Sequence, residues 1–199
     1  MKDVNVLKKE FIDIFTSNIN RDGAKALLDY LEKSDFFYAP ASTQFHSAYE
    51  GGLCEHSINV YNRFLKSIKN EYGDNYKDIV SDETIAICGL LHDVCKVDVF
   101  KIDTRNKKID GNWVQVPFYT VDDSLPYGHG EKSVYILSGF MKLSREEAMI
   151  INWHMGGFDA RVKGGAYGLS DAYYRYPLAV IFHTCDMLAS YLDETRAEK

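Results

Sequence analysis

The most apolar helical text in this chain ends in charge. IAICGLL runs directly into His92-Asp93, and Asp186 sits inside FHTCDMLASYL. A carboxylate at an apolar position needs a partner or a metal, because an isolated buried charge is very costly. Four histidines keep similar company: His56 follows Glu55 in an apolar helix, His92 ends the most apolar one, His129 opens a helix and His154 closes one. Mixed imidazole and carboxylate groups form a ligand set suited to Mn, Fe, Co, Ni or Zn rather than to Mg or Ca alone. Asp93, adjacent to His92, could bridge two ions. Spacing alone leaves open whether these six groups converge.

Around them, apolar positions recur at helical spacing. The pattern predicts helices over about Val4–Ser17 and Gly23–Lys33, with Pro40 in a loop. Gly51-Gly52 then precedes a long amphipathic helix over about Leu53–Tyr72. A strongly apolar helix over about Asp82–Asp93 is expected at the centre. From about Val97 to Thr120 the text changes: VFKI and WVQVPFYT alternate on either side of Asp110-Gly111, which signals a hairpin. Helices resume over about His129–Leu143, Ser144–Trp153 and Tyr176–Glu194, with Ser144 and Glu147 at capping-box spacing. The glycine-rich stretch 156–168 is expected as a loop. The fold class is therefore all-α, a helical bundle with a small inserted β-hairpin (about 97–120).

With 46% hydrophobic and 26% charged residues, the chain is neither a disordered tail nor a fibre. A net charge of −6 disfavours a broad groove for long nucleic acid, which is usually basic. A small anionic substrate held by a metal or a few local cations remains compatible. Cys54, Cys88, Cys95 and Cys185 form no CxxC pair and read as reduced, buried thiols of a cytoplasmic protein. The start, MKDVNVLKKEFIDIF, lacks the apolar core of a signal peptide, and no apolar run is long enough to span a membrane.

The order His56 … His92-Asp93 … Asp186 resembles the H…HD…D pattern of the HD superfamily of metal-dependent phosphohydrolases. FHSAYEGGLCEHSINVY resembles its first-histidine helix, LLHDVCK its His-Asp doublet followed by a lysine, and HTCDMLASYL its last-aspartate helix. LPYGHGEKSVYIL and WHMGGFD resemble the extra-histidine segments of members that bind two metals. The likeness spans about residues 41–193. It implies one HD domain over 1–199, with helices from 1–40 packed on a motif-bearing core and the site buried at its centre. By motif, His56, His92, Asp93 and Asp186 would hold a first metal, and Asp93, His129 and His154 a second. The implied cofactor is thus a pair of divalent transition-metal ions. The implied activity is hydrolysis of a phosphate ester by metal-activated water. The GGLCEH segment resembles the HD domain of certain bacterial 3′→5′ exoribonucleases, which carry an OB-type domain in front. About 40 residues precede the motif here, too few for an OB fold. With the acidic charge, this favours a nucleotide or short oligonucleotide. Two other classes stand beside this reading: an HD-type diiron oxygenase, and a non-catalytic nucleotide-binding module.

Several further residues have two readings each. Lys96, one turn after His92, meets a phosphate or is a solvated helix-end lysine. Lys132 and Ser133 meet the substrate at a helix N-terminus or are ordinary helix-start residues. Glu55 supports a ligand histidine or transfers a proton, or is a surface glutamate. His46 reaches the pocket or is a loop histidine without a role, and His183 supports the ligands or is a core residue. Arg105, with Lys101, Lys107 and Lys108, makes the hairpin a phosphate-binding lid or a charged edge against aggregation. Arg161 and Lys163 in the glycine-rich stretch share those two readings. Trp113 and Tyr119 are expected to pack under the hairpin rather than to stack on a base. Tyr173, Tyr174 and Tyr176 form a packing face or a dimer contact, and a homodimer is compatible.

Overall fold

The computed structural model describes residues 2–194, so the ends of the expected 1–199 domain, at Met1 and 195–199, lie outside the described residues. In chain order come α1 (Val4–Asn18), α2 (Ala24–Lys33), α3 (Gly52–Tyr72), α4 (Asp82–Leu91), β1 (Phe100–Ile109), β2 (Asn112–Val121), α5 (His129–Ser138) and α6 (Arg145–Trp153). They are followed by α7 (Ala160–Lys163), α8 (Gly168–Arg175), α9 (Leu178–Leu188) and a π-helical turn over Ala189–Asp193. The class is all-α with one antiparallel hairpin, as the periodicity predicts.

Each helix that frames the centre has a local reason to form. Asp3 caps α1 by accepting from the Asn5 and Val6 N–H groups, and Leu7, Phe11 and Phe15 then recur every four residues on its buried face. α3 buries Leu53, Ile58, Val60, Phe64 and Ile68, and carries His56 on the same inward side. α4 is buried nearly all round from Ile85 to Leu91, the pattern of a central helix. It crosses α3 closely at Gly89, where a Cβ would lie 2.6 Å from the Tyr61 Cα. Any larger side chain there would push the two helices apart, and with them His56 and His92.

Arg21 sets the relative placement of α4 and α6. Its guanidinium donates to Glu147 Oε2 at 2.8 Å and Oε1 at 2.9 Å, to Glu83 Oε2 at 3.0 Å, and to the Lys142 carbonyl at 2.9 Å. Glu83 lies in the first turn of α4. Glu147 closes the capping box of α6, accepting from the Ser144 N–H at 2.8 Å, while Ser144 Oγ accepts from the Glu147 N–H at 3.1 Å. Thr84 adds a further donor to Glu147 at 2.9 Å. Both helices start at this one cation. They have nearly equal lengths, 10 and 9 residues, so their C-terminal ends emerge side by side. Those ends carry His92 and His154.

The hairpin runs in register from Phe100↔Val121 to Ile109↔Asn112. Asp110 and Gly111 both have positive φ (48° and 86°), as a tight primed turn requires. Most of the ribbon is exposed on both faces. Trp113 is 72% exposed, so the expectation that it packs under the hairpin is corrected: it sits at the tip, beyond the reach of the body.

Three element boundaries also differ from expectation. α5 stops at Ser138 instead of Leu143, with Gly139 as its cap. The last helix starts after Pro177 and changes to a π turn at Ala189. The stretch 156–168 is not simply a loop: it holds a 3-10 turn over Gly156–Phe158 and the short α7, and α8 begins at its end. Gly168 opens α8 and packs against Trp153, whose Cζ2 would lie 3.2 Å from a Cβ there.

Burial alone would raise the Glu147 carboxyl, but hydrogen bonds from Arg21, the Ser144 N–H and Thr84 hold it below its ordinary value of 4.5. Its contribution to stability is therefore present above about pH 4.5 and is lost as pH falls below it. Replacing Arg21 by Ala is expected to lower stability by about 3 kcal/mol, read as a lower urea midpoint at constant slope. Glu147→Gln should lose less stability than wild type on acidification through that window. An unchanged midpoint in Arg21→Ala would show that this clamp carries no weight.

Candidate metal centre

His92 and His154 stand just past the ends of α4 and α6, in matching positions. His92 Nδ1 lies 3.0 Å from the Gly89 carbonyl and His154 Nδ1 lies 2.6 Å from the Ile151 carbonyl, each three residues back. A carbonyl only accepts, so both Nδ1 atoms carry hydrogen and both Nε2 atoms present lone pairs. The two rings are 4.9 Å apart, centroid to centroid. From α3, His56 meets the Glu194 carboxylate through Nδ1 at 2.8 Å, and its Nε2 lies 3.2 Å from His92 Nε2. From α9, Asp186 Oδ1 approaches His56 Nε2 at 3.3 Å.

Asp93 lies between them and is buried. Its Oδ2 is 3.4 Å from His56 Nε2 and 3.5 Å from His92 Nε2. Its Oδ1 is 2.8 Å from His129 Nε2 and 3.4 Å from His154 Nε2. Each carboxylate oxygen thus faces a different pair of imidazoles. A 3-10 turn over Val94–Lys96 brings Lys96 back, and its Nζ donates to Asp93 Oδ2 at 2.6 Å.

The donor chemistry fits a divalent cation. His154 Nε2 is buried without a hydrogen-bond partner, a costly arrangement unless the lone pair is used. His56 Nε2 and His92 Nε2 face each other, so a proton or a cation has to stand between them. Burial opposes charge on His56, but Glu194, Asp186 and Asp93 hold its pKa well above the ordinary value of 6.5. His92 is pushed down to about 3, by burial first and then by the neighbouring His154 and His56. Burial also works to raise Asp93 and Asp186, yet Lys96 and His92 hold Asp93 well below the usual carboxylate range, and His56 does the same for Asp186. His129 is raised to about 10 against the effect of burial, with Cys95 and Asp93 as the cause. His56, His92 and Asp186 form one group of mutually close donor atoms; His92, Asp93 and His154 form a second, Asp93, Cys95 and His129 a third, and His46, His56 and Glu194 a fourth.

These groups meet the floor of a cavity of about 550 Å³, lined by His56, Asp93, His129 and Asp186 together with Lys96 and Lys163. Phe45, Phe100, Val121, Phe158 and Met187 form much of its wall.

Four candidate substrate contacts lie elsewhere. Lys132 is buried and bound to Asp123 at 2.5 Å, and Ser133 Oγ accepts from the Cys95 N–H at 3.1 Å, so both hold α5 in place rather than facing the cavity. Arg105 stacks on Phe118 on the hairpin. Arg161 is engaged by Asp159 at 2.7 Å and Glu131 at 2.9 Å and lies over Trp153, 4.1 Å from its ring centre. Lys163, from the same short helix, is the one that lines the cavity. Glu55 accepts from the Tyr49 hydroxyl at 2.6 Å, and the carboxylate beside His56 is Glu194. His46 and His183 both line the cavity; His183 donates through Nδ1 to the His154 carbonyl at 2.7 Å, packed on Gly156, where a Cβ would come within 2.5 Å of its ring. Sequence reasoning assigned no role to Glu194, because a π turn and not a regular helix carries the chain from Asp186 to it.

A helical bundle with a buried His/Asp centre at the floor of a cavity defines a class, a protein built to bind divalent metal in its interior. The model of the HD domain family matches residues 53–195, which include all six of these His and Asp residues. The chain belongs to that family and so to the HD superfamily of metal-dependent phosphohydrolases. No curated protein and no solved structure matched the chain. None of the helices among the described residues is long and apolar enough to cross a membrane.

Added Mn²⁺ or Zn²⁺ should raise the thermal midpoint, and Asp93→Ala should bind the ion more than about 100-fold more weakly and lose the shift. A proton must leave His56 before Nε2 can bind a cation, so affinity should weaken as pH falls. An affinity independent of pH would remove His56 from the ligand set.

Proposed function

We propose that this protein is a metal-dependent phosphohydrolase that cleaves a phosphate ester of a small nucleotide or short oligonucleotide. The reading rests chiefly on Asp93. One carboxylate oxygen turned to His56 and His92 and the other to His129 and His154 suit two divalent ions sharing a single bridging group. Asp186, 3.3 Å from His56, would be the further ligand of the first ion. Bound there, such ions supply a water of lowered pKa and neutralise charge on the phosphoryl oxygens. The imidazole-rich donor set favours a transition metal over Mg²⁺.

The remaining roles follow from the side chains at the cavity. Asp93 holds the Lys96 ammonium charged against burial, so a phosphate entering the cavity meets a cation beside the ligands. Lys163 offers a second cation. Phe45, Phe100 and Val121 offer an apolar wall for the organic part of the substrate. A volume of about 550 Å³ suits one nucleotide-sized ligand. The net charge of −6 counts against long nucleic acid as the partner. Four free, buried thiols among the described residues accord with a reducing, cytoplasmic setting.

The test is chromatography of nucleoside mono- and triphosphates, cyclic nucleotides and short RNA after incubation with the Mn²⁺-, Co²⁺- or Mg²⁺-loaded protein. One substrate class should be consumed, with the products naming the bond. Asp93→Ala should abolish turnover, and Lys96→Ala should lower kcat/KM about 100-fold by removing a charged contact to the phosphoryl oxygens. No turnover of any substrate by metal-loaded protein overturns the reading.

A further inference from the structure

We propose that Glu194 is a positioning residue for the metal centre: it orients His56 so that Nε2, and only Nε2, is offered to the cation. The inference rests on the reading of the His/Asp cluster as a metal site. Glu194 shares a group of close donor atoms with His46 and His56 and takes no part in the groups that contain His92, Asp93 or His129.

Every lone-pair direction of the Glu194 carboxylate is taken. Oε1 accepts from His56 Nδ1 at 2.8 Å and from Asn59 Nδ2 at 3.4 Å. Oε2 accepts from His46 Nδ1 at 2.6 Å and from Ser47 Oγ at 2.9 Å. The side chain is 1% exposed, so this is a built site and not a chance surface pairing. A carboxylate in that position fixes the hydrogen of His56 on Nδ1, and it fixes the plane of the ring as well. Nε2 is then left pointing at His92 Nε2, Asp93 and Asp186.

The surrounding chain is arranged to deliver this carboxylate. Glu194 follows the π turn over Ala189–Asp193, a departure from α-helix that often marks functional segments. Arg63 of α3 grips Asp193 through two guanidinium nitrogens, which anchors the turn one residue before Glu194. On the opposite side Ser47 adopts φ 45°, an uncommon conformation for a residue with a side chain, and in it Ser47 reaches Glu194. Ser190 and Tyr191 of the same turn line the cavity. The segment that orients the ligand therefore also forms part of the substrate wall.

The experiment is equilibrium dialysis of Mn²⁺ against full-length wild type, Glu194→Ala and Glu194→Gln, with the visible spectrum of the Co²⁺-loaded forms beside it. Glu194→Ala should bind Mn²⁺ about 10- to 100-fold more weakly. Glu194→Gln keeps an oxygen that accepts from His56 Nδ1 and should recover part of that loss, and it decides the case if the alanine variant does not fold. The Co²⁺ spectrum should shift in Glu194→Ala, because the His56 ring is no longer held. Wild-type affinity and an unaltered spectrum in the variants overturn this inference alone. A wild-type protein that binds no Mn²⁺ overturns the metal centre with it.

Discussion

Asp93 is a carboxylate sealed in the interior, and the rest of the centre answers its charge. Buried and isolated, it would be prohibitively costly. Lys96, His92 and His129 hold it ionised, and His56 closes the ring from α3. The balance is incomplete within the chain. His154 Nε2 has no partner, and two imidazole Nε2 atoms face each other 3.2 Å apart. A bound cation would resolve both features, whereas a proton on His56 would resolve only the second.

Distant packing creates this arrangement. Arg21 joins the starts of α4 and α6 through Glu83 and Glu147, and the two helices carry His92 and His154 to adjacent positions at their far ends. Gly89 lets α4 approach α3 closely enough for His56 to meet His92. His56 and Asp186 sit on packed helices, and His92 and His154 just past the ends of two others, which helps to hold a metal site in a fixed geometry. The groups that face the cavity come from the more exposed segments, including the loop at Phe45 and the turn at Phe158. Binding residues commonly sit on such segments, above a rigid scaffold.

Helices with strong periodicity, the Asp-Gly hairpin and the Ser144–Glu147 cap are readable in the sequence because their causes are local. The six His and Asp residues are conspicuous because charge in apolar text demands company. Residues whose role depends on distant partners are not readable. Lys132 stands at a helix start, where it could meet an anion, but Asp123 takes it. Arg161 and Lys163 look equivalent in the sequence; Trp153, Asp159 and Glu131 claim the first and leave the second on the cavity. α8 starts at a glycine after a glycine-rich stretch, and that glycine packs against Trp153, a contact the local sequence does not announce. Glu194 was hidden because a π turn, which helical periodicity does not describe, brings it to His56.

The central claim is that the buried histidines and aspartates bind metal through imidazole nitrogen and carboxylate oxygen. X-ray absorption at the zinc edge of Zn²⁺-loaded protein tests this directly. The account predicts a first shell of nitrogen and oxygen at about 2.0–2.2 Å with the outer-shell scattering of several imidazoles, and no sulfur. A sulfur shell at about 2.3 Å, pointing to Cys95, or an oxygen shell without imidazole, would contradict it.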